Sequence, residues 1–232
     1  MGAGTERGSG RRGHGQDGRG RFPGYDVAAQ ARSWDPATAG VVLSRIGRPP
    51  GLRFFTPAEQ ACAGALFTRL LATDGELPYE DDIGVPVLQL VDSRLAEMQT
   101  DGWHYEDMPE DDEAWRRSLA ALDEDARARH GGGRVFAELP AGEQEEIIQK
   151  VQDRSGGQWH GMPASHVWSL WTRYACTAFY SHPQAWNEIG FGGPAYPRGY
   201  IRLGPDLREP WEVADHGPDA DGGGSEQEEP GT

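Results

Sequence analysis

The sequence predicts an all-α protein: a bundle of about five helices, followed by a long irregular segment rich in glycine, proline and aromatic residues. Three observations lead there. Apolar residues recur at spacings of three and four between residues 54 and 181. No stretch alternates apolar and polar residues for long enough to make a sheet. Glycine and proline together make up 50 of 232 residues, about 22% against an ordinary ~12%. A core of normal size therefore cannot be spread along the whole chain and must be concentrated in its middle.

The helices follow in order. Thr56-Pro57-Ala58-Glu59 has the form of a capping box, with proline at the first helical position. The first helix then runs to about Ala72, with Cys62, Leu66 and Leu70 on one stripe, widened by Phe67 and Leu71. Val87, Val91, Leu95 and Met98 predict a second helix over about Val85–Gln99. Trp115, Leu119, Leu122 and Ala126 predict a third, which begins in the acids Glu110–Glu113 and ends at His130 before three glycines. Ile147, Ile148 and Val151 mark a fourth near Ala141–Asp153. The fifth, about Pro163–Tyr180, carries the widest apolar stripe (Ala164, Val167, Trp168, Trp171, Ala175, Ala178, Phe179) and is expected at the centre of the bundle.

Charge divides the rest of the chain. Residues 1–53 hold nine arginines and four acids, residues 54–208 hold 25 acids and 13 bases, and residues 209–232 hold eight acids and no base. Residues 1–21 alternate glycine with arginine and polar residues. They bury too little apolar area to offset their ordering entropy, so they read as a disordered tail. Residues 22–53 scatter apolar side chains between Pro and Gly and read as an extended arm that packs on something. Residues 54–211 form the helical domain, with residues 182–211 as a contact loop, and residues 212–232 read as a disordered acidic tail.

Several function classes are excluded. No run approaches the ~18 apolar residues of a membrane span. Two cysteines, Cys62 and Cys176, make neither a disulfide scaffold nor a four-thiolate zinc site. Both fall on predicted inward positions, where free buried thiols are the default and a bridge is the minority reading. A net charge of −15 argues against general nucleic-acid binding. Haem attachment, Glu-x-x-His, His-Glu-x-x-His, nucleophile-elbow, Walker and dinucleotide motifs are all absent. His160 and His166 are conceivable as a metal pair, but a capping or solvated role is favoured. The acids Glu106, Asp107, Glu110, Asp111, Asp112 and Glu113 lack the ligand order of a calcium loop and read as a solvated face. No residue stands out as a catalyst, and no cofactor is expected on this chain.

Residues 182–211 differ in kind. Trp186, Phe191, Tyr196, Tyr200 and Trp211 sit among glycines and prolines without helical spacing. Disordered segments lack such aromatics. The composition fits a surface that contacts a partner or, equally, a loop folded back over the chain's own helices.

Four stretches in this order carry a resemblance: Phe54-Phe55-Thr56-Pro57-Ala58-Glu59, Phe136-Ala137-Glu138-Leu139-Pro140, Phe179-Tyr180-Ser181-His182-Pro183, and Trp186-Asn187-Glu188-Ile189-Gly190-Phe191-Gly192-Gly193-Pro194 with Tyr196-Pro197-Arg198-Gly199-Tyr200. Over about residues 54–202 the chain resembles the gluconate 2-dehydrogenase subunit 3 family, small subunits of membrane-associated sugar and polyol dehydrogenases. The resemblance implies a non-catalytic small subunit. It would bind and stabilise, or mature, a large flavoprotein of the glucose–methanol–choline type that holds FAD and oxidises a sugar, sugar acid or polyol. A cytochrome c subunit is a further expected partner. The resemblance also gives the 182–211 segment a purpose. Trp186, Asn187, Ile189, Phe191, Tyr196 and Tyr200 would meet the flavoprotein, and Arg198 would pair with an acid on it. Two other readings stay open: a transient folding or export chaperone of the flavoprotein, and a free-standing enzyme. Many family members carry a twin-arginine signal. Here Arg11-Arg12 is followed by Gly13-His14-Gly15-Gln16-Asp17 rather than an apolar stretch, so the expectation is a cytoplasmic complex. The alternative is export with the partner from a different start site.

Overall fold

A computed structural model describes residues 22, 25–71, 84–100, 105–154, 156–196 and 199. The described residues form seven α-helices, two short 3-10 helices and one two-residue hairpin. The chain is all-α, as the periodicity predicts. Five of the α-helices are the five expected: α2 (Pro57–Leu71), α3 (Val87–Ala96), α4 (Asp111–Arg129), α5 (Ala141–Asp153) and α6 (Ala164–Tyr180). The other two, α1 (Pro36–Ser44) and α7 (Pro183–Ile189), lie where the sequence predicts irregular chain. No described helix is long and apolar enough to cross a membrane.

The main core forms where α6 packs on α2, α3, α4 and α5, which is the central place its wide apolar stripe predicts. Aromatic rings fill it. Trp115 meets Phe55, Phe67 and Tyr174 at centroid distances of 6.0, 5.5 and 5.7 Å. Trp171 meets Trp159 edge-on at 5.4 Å. Several of these rings have polar atoms that must be satisfied once buried. Trp171 Nε1 donates to Ser118 Oγ at 3.0 Å, and Trp159 Nε1 donates to Asp125 Oδ2 at 2.9 Å. Tyr174 donates its hydroxyl to Asp111 Oδ2 at 2.6 Å. Asp111 is therefore buried, a correction to the solvated face expected for the acidic stretch.

The predicted capping box forms at the start of α2. Thr56 N donates to Glu59 Oε2 at 2.8 Å, and Glu59 N donates to Thr56 Oγ1 at 3.4 Å. The chain just before α2 is held by Asp92 of α3. This fully buried carboxylate accepts from the backbone N–H groups of Arg53, Phe54 and Phe55 at 2.6, 3.0 and 2.8 Å. The small hairpin pairs Gln158–Trp159 (β1) with Met162–Pro163 (β2). Its two turn residues, His160 and Gly161, both have positive φ (47° and 74°), as a type I′ hairpin turn requires.

The segment expected as an extended arm is helical. A 3-10 helix over Val27–Ser33 precedes α1. Asp26 and Asp35 cap the two, Asp35 accepting from Ala37 N and Thr38 N ahead of Pro36 at the first helical position. The arm packs on α7 of its own chain. The predicted tails, 1–21 and 212–232, lie outside the described residues.

Candidate partner-binding surface

α7 is short because its ends are fixed by sequence. Pro183 takes the first helical position, His182 caps it, and Gly190 ends it in the left-handed conformation at φ 68°. Ala185 points into the main core, while Trp186 points the other way. Trp186 joins Val27, Trp34 and Val42 in a second, smaller cluster roofed by the arm. The two segments, more than 130 residues apart in sequence, are fastened by a set of polar contacts. Val27 N donates to Asn187 Oδ1 at 2.8 Å, and the Tyr25 hydroxyl donates to Phe191 O at 3.3 Å. Arg45 Nη1 donates to Ser181 O at 2.6 Å, and His182 Nε2 donates to Arg45 O at 2.8 Å. Within the C-terminal segment itself, Trp186 Nε1 donates to Tyr180 O at 2.6 Å.

His182 sits at the junction with both ring nitrogens engaged, since Nδ1 accepts from Gln184 N at 3.2 Å. Burial lowers its pKa below the ordinary histidine value, helped by the nearby Arg45 charge and opposed by the bond to Arg45 O. Gly193 is required by space. It has φ +77°, and a Cβ there would lie 2.5 Å from Trp34 Cζ2.

The predicted interface residues divide. Trp186 is 6% exposed, its ring enclosed by the arm, and Asn187 spends its side-chain oxygen on Val27 N. Both are employed inside this chain, which is how the structure departs from an outward-facing role for them. Ile189, Phe191 and Tyr196 are exposed, Tyr196 by 67%. Phe191 rests edge-on against Trp186 at 5.4 Å while its remaining surface faces out. Arg198 and Tyr200 lie outside the described residues.

The other half of this surface lies in the arm, which the sequence reads as packing on something but does not resolve into outward and inward residues. Val41, Leu43 and Ile46 of the arm and Tyr180 at the end of α6 are exposed large hydrophobics. Seven of the eight such side chains among the described residues lie in the arm or between Tyr180 and Tyr196, and Met98 is the eighth. The signal was available. Val41-Val42-Leu43 is apolar on adjacent positions, so a helix over it must leave apolar surface on more than one side.

The other candidates for chemistry have local partners. His166 stacks flat on Tyr105 at 3.5 Å and meets Asp107 Oδ1 at 2.9 Å. His160 meets Asp125 Oδ1 at 2.7 Å and Glu124 Oε2 at 3.3 Å. Among the described residues no three metal-ligating side chains gather in one place. The cleft lined by Tyr105, Met108, Asp111, His166, Leu170 and Arg173 has room for about one water molecule, far short of a flavin. Cys62 is buried, and burial drives its thiol pKa strongly upward. Cys176 is exposed on α6, contrary to its expected inward position, and both thiols are free.

No curated protein and no solved structure matches this chain. The family model described as gluconate 2-dehydrogenase subunit 3 matches residues 57–193, from the first residue of α2 to the glycine beneath Trp34. That is more than half of the chain, and it includes α7 and the stretch that anchors the arm. The chain belongs to the gluconate 2-dehydrogenase subunit 3 family.

Proposed function

We propose that this protein is the small, non-catalytic subunit of a dehydrogenase complex, which binds and stabilises a large FAD-dependent partner of the glucose–methanol–choline type. The partner oxidises a sugar, sugar acid or polyol and holds the flavin, and a cytochrome c subunit accepts the electrons. Membership of a family of dehydrogenase subunits carries this reading. The surface beyond α6 supports it, because Ile189, Phe191 and Tyr196 present aromatic and aliphatic area, and the backbone at Phe191 is already held by Tyr25 and Trp186. Pre-ordering of that kind reduces the entropy lost on association.

The test is co-expression with a glucose–methanol–choline-type flavoprotein from the same genome. The two chains are expected to co-purify in fixed ratio. Changing Ile189 to Glu and Tyr196 to Ala together should weaken the complex at least tenfold, the scale of one lost hot spot. Failure of the unaltered chains to associate would overturn the reading.

A further inference from the structure

We infer that the exposed apolar surface of the arm, Val41 and Leu43 on either side of buried Val42 in α1 and Ile46 in the turn just past it, is the second half of the surface that receives the large dehydrogenase subunit, so that arm and C-terminal segment bind it together. The inference rests on the subunit reading above and adds to it a face outside the family-matched residues 57–193.

Three observations carry it. The first is area. Val41, Leu43, Ile46, Tyr180, Ile189, Phe191 and Tyr196 are between 39% and 67% exposed. Together they show on the order of 600 Å² of side-chain surface, near the ~800 Å² that one partner gives to a standard interface. The second is charge. Residues 54–179 carry 23 acids against ten bases, whereas residues 25–51 and 180–196 carry three of each (Arg32, Arg45 and Arg48; Asp26, Asp35 and Glu188). Depletion of acids beside exposed aromatics and arginines is the composition of an interface rather than of a solvated face. The third is continuity. Arg45 Nη1 to Ser181 O and His182 Nε2 to Arg45 O tie the end of α1 to the start of the segment bearing Ile189, Phe191 and Tyr196. A partner seated on one half is therefore in reach of the other.

Two other occupants fit less well. A second copy would bring together two chains of net charge −15, which repel. The chain's own acidic end, residues 209–232, has eight acids and few apolar side chains to lay on the arm, and residues 200–207, which are more apolar, are tested by labelling the free chain.

The experiment uses the full chain with Cys176→Ser, which removes the exposed thiol and leaves buried Cys62. Val41→Cys, Ile46→Cys and, as control, Met98→Cys are labelled with a maleimide, free and in complex with the flavoprotein. Rapid labelling of the free chain at all three positions, with at least tenfold slowing at positions 41 and 46 only in the complex, is the expected result. A matching Val41→Glu variant should weaken association at least tenfold while keeping the far-ultraviolet dichroism of the parent. If the complex forms and positions 41 and 46 label as fast as before, the inference fails and the subunit reading stands. If they are already protected in the free chain, by its own C-terminal end or by a second copy in light scattering, the inference also fails. If the unaltered chains never associate, the subunit reading falls and takes the inference with it.

Discussion

Two residues of the arm junction make opposite demands on chemistry. His182 must be neutral, because its Nδ1 accepts from Gln184 N while its Nε2 donates to Arg45 O. A protonated ring would turn Nδ1 into a donor facing another donor. Its folded-state pKa lies below the ordinary value of 6.5. A group lowered in this way contributes stability that is complete above about pH 6.5 and is lost as pH falls through that value toward the folded one. Acidification should therefore loosen the arm from α7, read as a change in emission as Trp186 and Trp34 meet water. His182→Asn keeps a capping oxygen and cannot titrate, so it should flatten that profile between pH 7.5 and 5. An unchanged profile would show that His182 is not the group responsible. Gly193 makes the simpler demand. A Cβ at that site meets a buried indole that cannot swing aside, in a backbone conformation that side chains avoid. Gly193→Ala should cost about 1–3 kcal/mol, measured by urea unfolding. Neither role was legible in the sequence. His182 and Gly193 both read only as members of motif stretches, because the contacts that define them here are with Arg45 and Trp34, more than 130 residues away.

At the scale of elements, what was legible followed from periodicity and punctuation. α5 begins and ends where the sequence places it, and α2 to α6 all appear, because each repeats apolar residues at spacings of three and four along one stripe. α1 and α7 were illegible for the converse reason. Proline-alanine-threonine-alanine-glycine-valine-valine-leucine-serine has no polar face, and seven residues are too few to show a period. Their caps were nonetheless written in the sequence: Asp35-Pro36 for α1 and His182-Pro183 for α7, each placing proline at the first helical position. Such short helices do not persist alone and borrow their stability from packing, α1 on the 3-10 helix before it and α7 on that 3-10 helix and on α6. The link from arm to core depends on a different kind of contact. Asp92 satisfies three consecutive backbone N–H groups just ahead of α2. Asp92→Ala would strand the buried Phe55 N–H at ~1–3 kcal/mol and lose the part-buried bonds to Arg53 N and Phe54 N, so a loss of about 3 kcal/mol is expected in a denaturant melt. Asp92→Asn, which keeps one acceptor oxygen, should lose less.

The whole molecule consists of two apolar clusters of very different size that share α7. More than thirty buried side chains form the first, and Val27, Trp34, Val42 and Trp186 form the second. At roughly 1.5–3 kcal/mol per large apolar side chain buried, the smaller cluster holds the arm by only a few kilocalories once its ordering entropy is subtracted. Local opening of the arm should therefore cost less than global unfolding. Amides of residues 27–44 that are bonded within the arm are expected to exchange hydrogen together, and faster than those of α2, α4 and α6. Phe191 N, which donates to Trp186 O at 2.9 Å, should follow the arm, because it caps a helix whose outer face the arm covers. Partner binding across both halves of the surface would raise protection in the arm and in residues 186–193 by a similar factor, since neither half can open while the other is held. Protection confined to residues 186–193 would mean that the partner grips the C-terminal segment alone. Equal rates in arm and core before any partner is added would mean that the small cluster is no weaker than the large one.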